Sequence, residues 1–181
     1  NGATSANIRV TTSSETILSR VITSAVDIYE PDLRATVFVN DLNGGAVAPG
    51  DILEYTISGK NIGSDVAVNC FITDTLDIRT AYVPNSLVVL NGPNAGPKTD
   101  AAGDDQAEYN AATRFVKYRV GTGATASSGG SMINTSLDSV LVKFQVQVSN
   151  DCLILKCDST LENKAYIFGT GTLSGNTVSS K

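Results

Sequence analysis

The residues best equipped for chemistry lie in T-D-A-A-G-D-D-Q-A-E-Y, residues 99–109. Asp100, Asp104, Asp105 and Glu108 crowd together there, with Gly103 at the bend and Lys98 as the adjacent cation. Carboxylates this close repel one another unless a cation or water screens them. Hard oxygen ligands on a bent loop suit Ca2+, which accepts about six to eight oxygens in flexible geometry, whereas Mg2+ demands a tighter arrangement. The spacing is not that of an EF-hand. Asp and Gly also build solvated turns by bonding their own backbone. The stretch therefore reads either as a calcium loop, with Asp100, Asp104 and Asp105 as ligands ahead of Glu108, or as a turn.

Two further constellations need positioning. Asp74 and Asp77 flank Thr75 and Leu76 at a strand end. Paired carboxylates can cleave glycosidic bonds, but at strand ends such residues more often bond local amides. Cys152 and Cys157 bracket L-I-L-K, a spacing that can close a small disulfide loop outside the cell. Cys70 falls on an apolar strand face, where a buried thiol is expected. CxxC metal spacing is absent.

Composition narrows the function classes. The 181 residues contain no His and no Trp. Without His, neither Ser-His nor Cys-His catalysis nor His-ligated metal chemistry is available. Without Trp, an aromatic sugar platform is harder to build. A net charge of -5 disfavours nucleic acid and anionic membrane as partners. Thr, Ser, Asn, Gly and Val dominate, as in β-rich surface proteins with many polar turns. No stretch approaches the length of a membrane span, and no signal peptide is present. The opening Asn1-Gly2 suggests a mature or excised piece of a longer precursor.

The elements that must carry these residues are strands. Alternation with a period of two is strict over 139–148, where Val140, Val142, Phe144, Val146 and Val148 share one face. Val116, Tyr118 and Val120 repeat it, as do Leu53, Tyr55 and Ile57. Val66, Val68, Cys70 and Ile72 follow, then Leu87 and Val89, then Asn163, Ala165 and Ile167. Asn43-Gly44-Gly45, Pro49-Gly50, Asn61-Ile62-Gly63 and Ser127-Ser128-Gly129-Gly130 are expected to supply positive φ angles between the runs. No segment has a convincing helical period. The pattern predicts an all-β, antiparallel β-sandwich over residues 30–181. Residues 1–29 form an N-terminal arm, and residues 16–26 are expected to be a strand. That strand completes the domain's own sheet, ends a preceding repeat, or adds to a neighbouring subunit's open edge.

The order of the segments resembles the bacterial surface-repeat family called domain of unknown function eleven. The matching phrases are P-G-D-I-L-E-Y-T-I with N-I-G (residues 49–57 and 61–63), N-C-F-I-T-D-T-L (69–76), Y-V-P-N-S (82–86), F-Q-V-Q-V (144–148) and N-K-A (163–165). The longer phrases V-N-D-L-N-G-G and T-D-A-A-G-D-D-Q-A-E-Y look like the version found in giant surface proteins of Bacteroidota. The resemblance implies an immunoglobulin-like sandwich repeated in secreted adhesins or stalks, in Bacteroidota often exported through the type nine route. It brings no catalytic residues. Asp74-Thr75-Leu76, Asp138-Ser139-Val140 and Asp158-Ser159-Thr160 look like that phylum's O-glycosylation acceptor. Some relatives in this broad class carry a lysine on the first strand, which suggests an internal Lys-Asn isopeptide bond. Here Phe38 stands where that lysine is sought, so the bond is not expected.

The leading reading is a non-enzymatic extracellular module of a bacterial surface adhesin or stalk, whose partners are neighbouring repeats or identical subunits. The alternatives are a filament subunit polymerising through residues 1–29, and a domain binding surface glycans.

Overall fold

The computed structural model describes residues 5, 7–18, 21–23, 25, 27–135, 139–156 and 160–180. In chain order the elements are β1 (Leu33–Asp41), β2 (Ile52–Asn61), β3 (Ala67–Thr75), β4 (Thr80–Tyr82), β5 (Val88–Asn91) and β6 (Gly96–Pro97). They continue with β7 (Ala107–Asn110), β8 (Phe115–Arg119), β9 (Gly130–Met132), β10 (Val140–Val148), α1 (Cys152–Leu155), β11 (Ala165–Gly171) and β12 (Thr177–Ser180). One antiparallel sheet runs β1-β2-β10-β5-β6, with β4 also on β10. The other runs β12-β11-β3-β8-β7, with β9 also on β3. They face each other as an antiparallel β-sandwich, as the alternation predicts, of the immunoglobulin-like kind that the resemblance implies.

The inward residues of β2 and β10 meet those of β3, β8 and β11. Ile57, Val142, Phe144, Ile72, Val116, Tyr118 and Ile167 have no solvent exposure. Tyr118 is tolerated at the centre because its hydroxyl donates to the Lys143 carbonyl at 2.6 Å. Tyr55 and Phe144 pack with ring centroids 5.6 Å apart.

Several expectations are corrected. On β3 the buried apolar residues are Ala67, Cys70 and Ile72, while Val68 and, just before the strand, Val66 are half-buried. Asn69 adopts φ 52° and the register slips between Ala67 and Cys70, so a bulge reverses the phase of the strand. The described residues among 16–26 carry no strand. A strand needs a ladder partner, and the described residues of the arm pair with neither sheet of this chain. At Gly63, Gly129 and Gly130 φ is not positive. Glycine is needed at these three for close approach: a Cβ on Gly63 would lie 2.2 Å from the Asp32 nitrogen. The short helix α1 was not foreseen, because four residues cannot display a helical period. Asp151 caps it, accepting from the Leu153 N–H at 2.8 Å.

Candidate functional site

The acidic stretch folds as a turn whose carboxylates each accept from the chain. Asp100 takes the Tyr82 hydroxyl at 2.5 Å and the Asn85 N–H at 2.9 Å. Asp104 takes the Thr99 hydroxyl at 2.6 Å, which holds its pKa below the ordinary value. Asp105 takes the N–H groups of Thr99 and Ala107, both at 2.8 Å. Glu108 lies on β7 and pairs with Arg119 of β8 at 3.2 Å. Burial, with Asp100 beside it, raises the Tyr82 pKa, and the Tyr82 ring stacks on Tyr109 at 4.0 Å. Gly103, at φ 86°, makes the bend. The four carboxylates thus point to separate donors, and among the described residues no group of three or more acid, Cys or His side chains is gathered to hold a metal.

Cys152 is exposed at the start of α1. Cys157 lies outside the described residues. Cys70 is buried in the core, as expected. Of the three glycosylation-like triplets, only Asp74-Thr75-Leu76 is wholly described, and there Thr75 is exposed between two buried neighbours.

Asp74 and Asp77 are pushed in opposite directions. Asp77 is gripped by Arg79 at 2.6 Å, and that hydrogen bonding, against a smaller cost of burial, holds its pKa at about 2. Asp74 is 1% exposed on the inner face of β3. Burial drives its pKa up to about 7, with Asn163 pulling the other way. The Asn163 amide donates to its Oδ2 at 2.7 Å, and its Oδ1 has no hydrogen-bond partner. Carboxyls pushed apart in this way can act as acid and base, but Asp74 is sealed in the core, out of reach of a substrate.

A buried acid beside an Asn amide is also what a Lys-Asn crosslink requires, and sequence reasoning assigned no such acid. Parity could have found it, because Asp74 continues the inward series Cys70, Ile72, and Asn163 begins the series Ala165, Ile167. The amine is what is missing. Phe38 proves to be a solvent-facing position, 57% exposed, so its identity does not decide the matter. The inward residues of β1, Leu33, Ala35 and Val37, are all apolar.

On the outer face of β3 and β11, Phe71 and Phe168 stack at 4.9 Å, and Lys117 sits 4.9 Å above the Phe71 ring. These rings lie against one another, so they do not offer the open faces on which a sugar stacks.

The most elaborate polar arrangement grips the incoming chain. The Glu30 carbonyl accepts the Ser64 and Asp65 N–H groups at 3.0 and 3.2 Å, and the Asp32 carbonyl accepts the Ile62 N–H at 2.8 Å. Asn61 is buried and uses its whole amide. Its Oδ1 accepts from Asp32 and Gly63 at 3.1 and 2.9 Å, and its Nδ2 donates to the carbonyls of Asp65 and Met132 at 2.8 and 3.0 Å. Asp65 accepts from the Thr172 hydroxyl and the N–H groups of Leu173 and Ser174 at 2.8, 2.9 and 3.0 Å. Burial alone would raise its pKa, but these bonds outweigh burial and hold it at about 2. The Asn176 amide donates to Glu30 at 2.8 Å. One clamp thus joins the arm's base to the β2–β3 and β11–β12 turns. The phrase N-I-G was legible in the sequence, but its role depends on partners far along the chain.

No protein-family model matches the chain, and no curated protein matches it. Solved structures do. The full-length major pilin SpaD from Corynebacterium diphtheriae is similar over 82% of this chain, with a TM-score of 0.50 and 14% identity. The match takes in 33% of SpaD, so this chain spans about a third of that protein's length. The collagen-binding subdomain ACE19 of Enterococcus faecalis surface protein ACE is similar over 80% of this chain and 90% of its own, with a TM-score of 0.46 and 12% identity. The collagen-binding domain of Erysipelothrix rhusiopathiae surface protein RspB matches 72% of this chain and 38% of its own, with a TM-score of 0.43 and 13% identity. At such identities the likeness is one of fold, and the fold is an immunoglobulin-like β-sandwich of the type present in a bacterial surface pilin.

Proposed function

We propose that this domain is a non-enzymatic structural module of a bacterial surface adhesin or stalk, working outside the cell and carrying tension along its length. The observation that carries this reading is the path of the chain. It enters through the clamp at Glu30–Asp32, in line with β1. β12 starts beside the same clamp, at Asn176, and runs away from it along β11, from Thr177 opposite Thr170 to Ser180 opposite Ile167. Force applied at the two ends therefore pulls β1 and β12 in opposite senses along their axes. It strains many ladder bonds together rather than one after another. The motif resemblance to giant surface proteins of Bacteroidota and the similarity in fold to a pilin both favour such a setting. Among the described residues no helix is long and apolar enough to cross a membrane.

The test is single-molecule pulling in two geometries. Attachment through the two ends should give a clearly higher unfolding force than attachment through the hairpin tips at Gly44 and Ala112, which unzips the sheets pair by pair. Gly63→Ala should lower the end-to-end force. Equal forces in both geometries would remove the mechanical role.

A further inference from the structure

We infer that the arm of one copy adds as a strand to the open β1 edge of a second copy, aligned parallel to β1, so that copies join head to tail. This deepens the module reading by naming the partner of its N-terminal arm.

The acceptor is the outer edge of β1. All nine of its residues pair with β2 in unbroken register, and no described residue pairs with its other side. The Ile62 N–H bonds the Asp32 carbonyl, and the Leu42 N–H bonds the Ile52 carbonyl. In an antiparallel ladder that parity turns the backbone groups of Arg34, Thr36, Phe38 and Asn40 toward β2. Those of Ala35, Val37 and Val39 point out of the sheet, unpaired. Natural edges are guarded by Lys, Pro or a bulge. Between Ala35 and Asn40 there is no charge, no proline and no register shift. Val39 shares the inward parity of Leu33 and Val37, yet it is 60% exposed.

The donor is the arm. Its described residues pair with neither sheet, while Ile17, Leu18, Val21 and Ile22 are 51 to 80% exposed. The clamp fixes the base of the arm. Glu30–Asp32 are already bonded to 61–65 in extension of the β1–β2 ladder, so the chain arrives collinear with β1, and an arm that continues in this direction passes the pole. For two copies stacked in the same orientation, the projecting arm runs along the next copy's β1 in the same chain direction. Nine residues of β1 span about 30 Å, and an extended arm of 29 residues reaches up to roughly 95 Å. Length is therefore sufficient to cross the joint and cover the edge.

The experiment uses full-length chains and sedimentation velocity over a wide concentration range. The parent should form a ladder of oligomers. Val21→Asp/Ile22→Asp, which disables the arm on both faces, should remain monomeric. Val39→Pro should also remain monomeric while keeping the parent's circular dichroism, because its N–H faces away from β2. If the proline disturbs the fold, Val39→Lys serves as the second edge variant. Mixing arm and edge variants should yield a dimer and nothing longer, since one intact arm meets one intact edge. A parent that is monomeric throughout, or assembly that survives either class of variant, would overturn the inference. The pulling experiment above would still stand, because it measures a single domain.

Discussion

Asn163 reaches from just before β11 to donate to Asp74 at 2.7 Å, joining two polar side chains 89 residues apart at the margin of the apolar core. The acid is kept protonatable near neutrality by its surroundings, with a pKa of about 7 against an ordinary 3.8. The folded state therefore binds a proton that the unfolded chain has already released.

This fixes the sign of a pH dependence. Between about pH 4 and 7 the folded protein holds more protons, so stability falls as pH rises through that window. Chemical denaturation at steps across it should show a loss on the order of a few kcal/mol. Asp65 and Asp77, both at about 2, act in the opposite sense, stabilising above about 4 and ceasing to do so as pH falls toward 2. Asp74→Asn keeps the acceptor for Asn163 and should flatten the upper window. A parent whose stability rises from pH 4 to 7 contradicts the assignment.

Asn61→Ala leaves Asp32, Gly63, Asp65 and Met132 without their buried amide partner. A cost of about 3 kcal/mol is expected. Ile62→Ala, at a position 45% exposed, should change stability by less than about 0.5 kcal/mol. Urea melts of the two variants make the comparison, and similar midpoints would show that the clamp is not a stabilising unit.

In the acidic turn, Asp104→Asn/Asp105→Asn should cost about 1 to 2 kcal/mol through weakened hydrogen bonds to Thr99 and Ala107. Because donors of the chain already serve these carboxylates, the parent should melt at the same temperature in millimolar calcium and in chelator. A calcium-dependent rise that the double variant loses would instead make residues 100–108 a cation loop.

The Cys152–Cys157 pairing is testable by alkylation of aerobically purified protein under denaturing, non-reducing conditions. One labelled thiol, Cys70, is expected, and the short loop should add no more than about 2 to 3 kcal/mol. Labelling of all three would exclude the bond.

Much of this architecture follows from the sequence alone. Period-two alternation depends only on the pleat, so β2, β8, β10 and β11 and their buried faces could be read directly. The turns at Gly44 and Gly50 were equally legible, because positive φ is a local demand. What local pattern could not carry is anything set by a partner distant in sequence. The bulge at Asn69 flips half of β3 because of where β9 and β11 attach. Gly63 is a glycine because Glu30 and Asp32 press against it. The carboxylates at 100–108 are drawn apart by donors on β4, β8 and the Thr99 turn. Asp74 becomes a neutral-range acid only when the other sheet closes over it. The arm's strand-like composition was visible, but a strand exists only with a ladder partner, and the arm's described residues pair with neither sheet of their own chain.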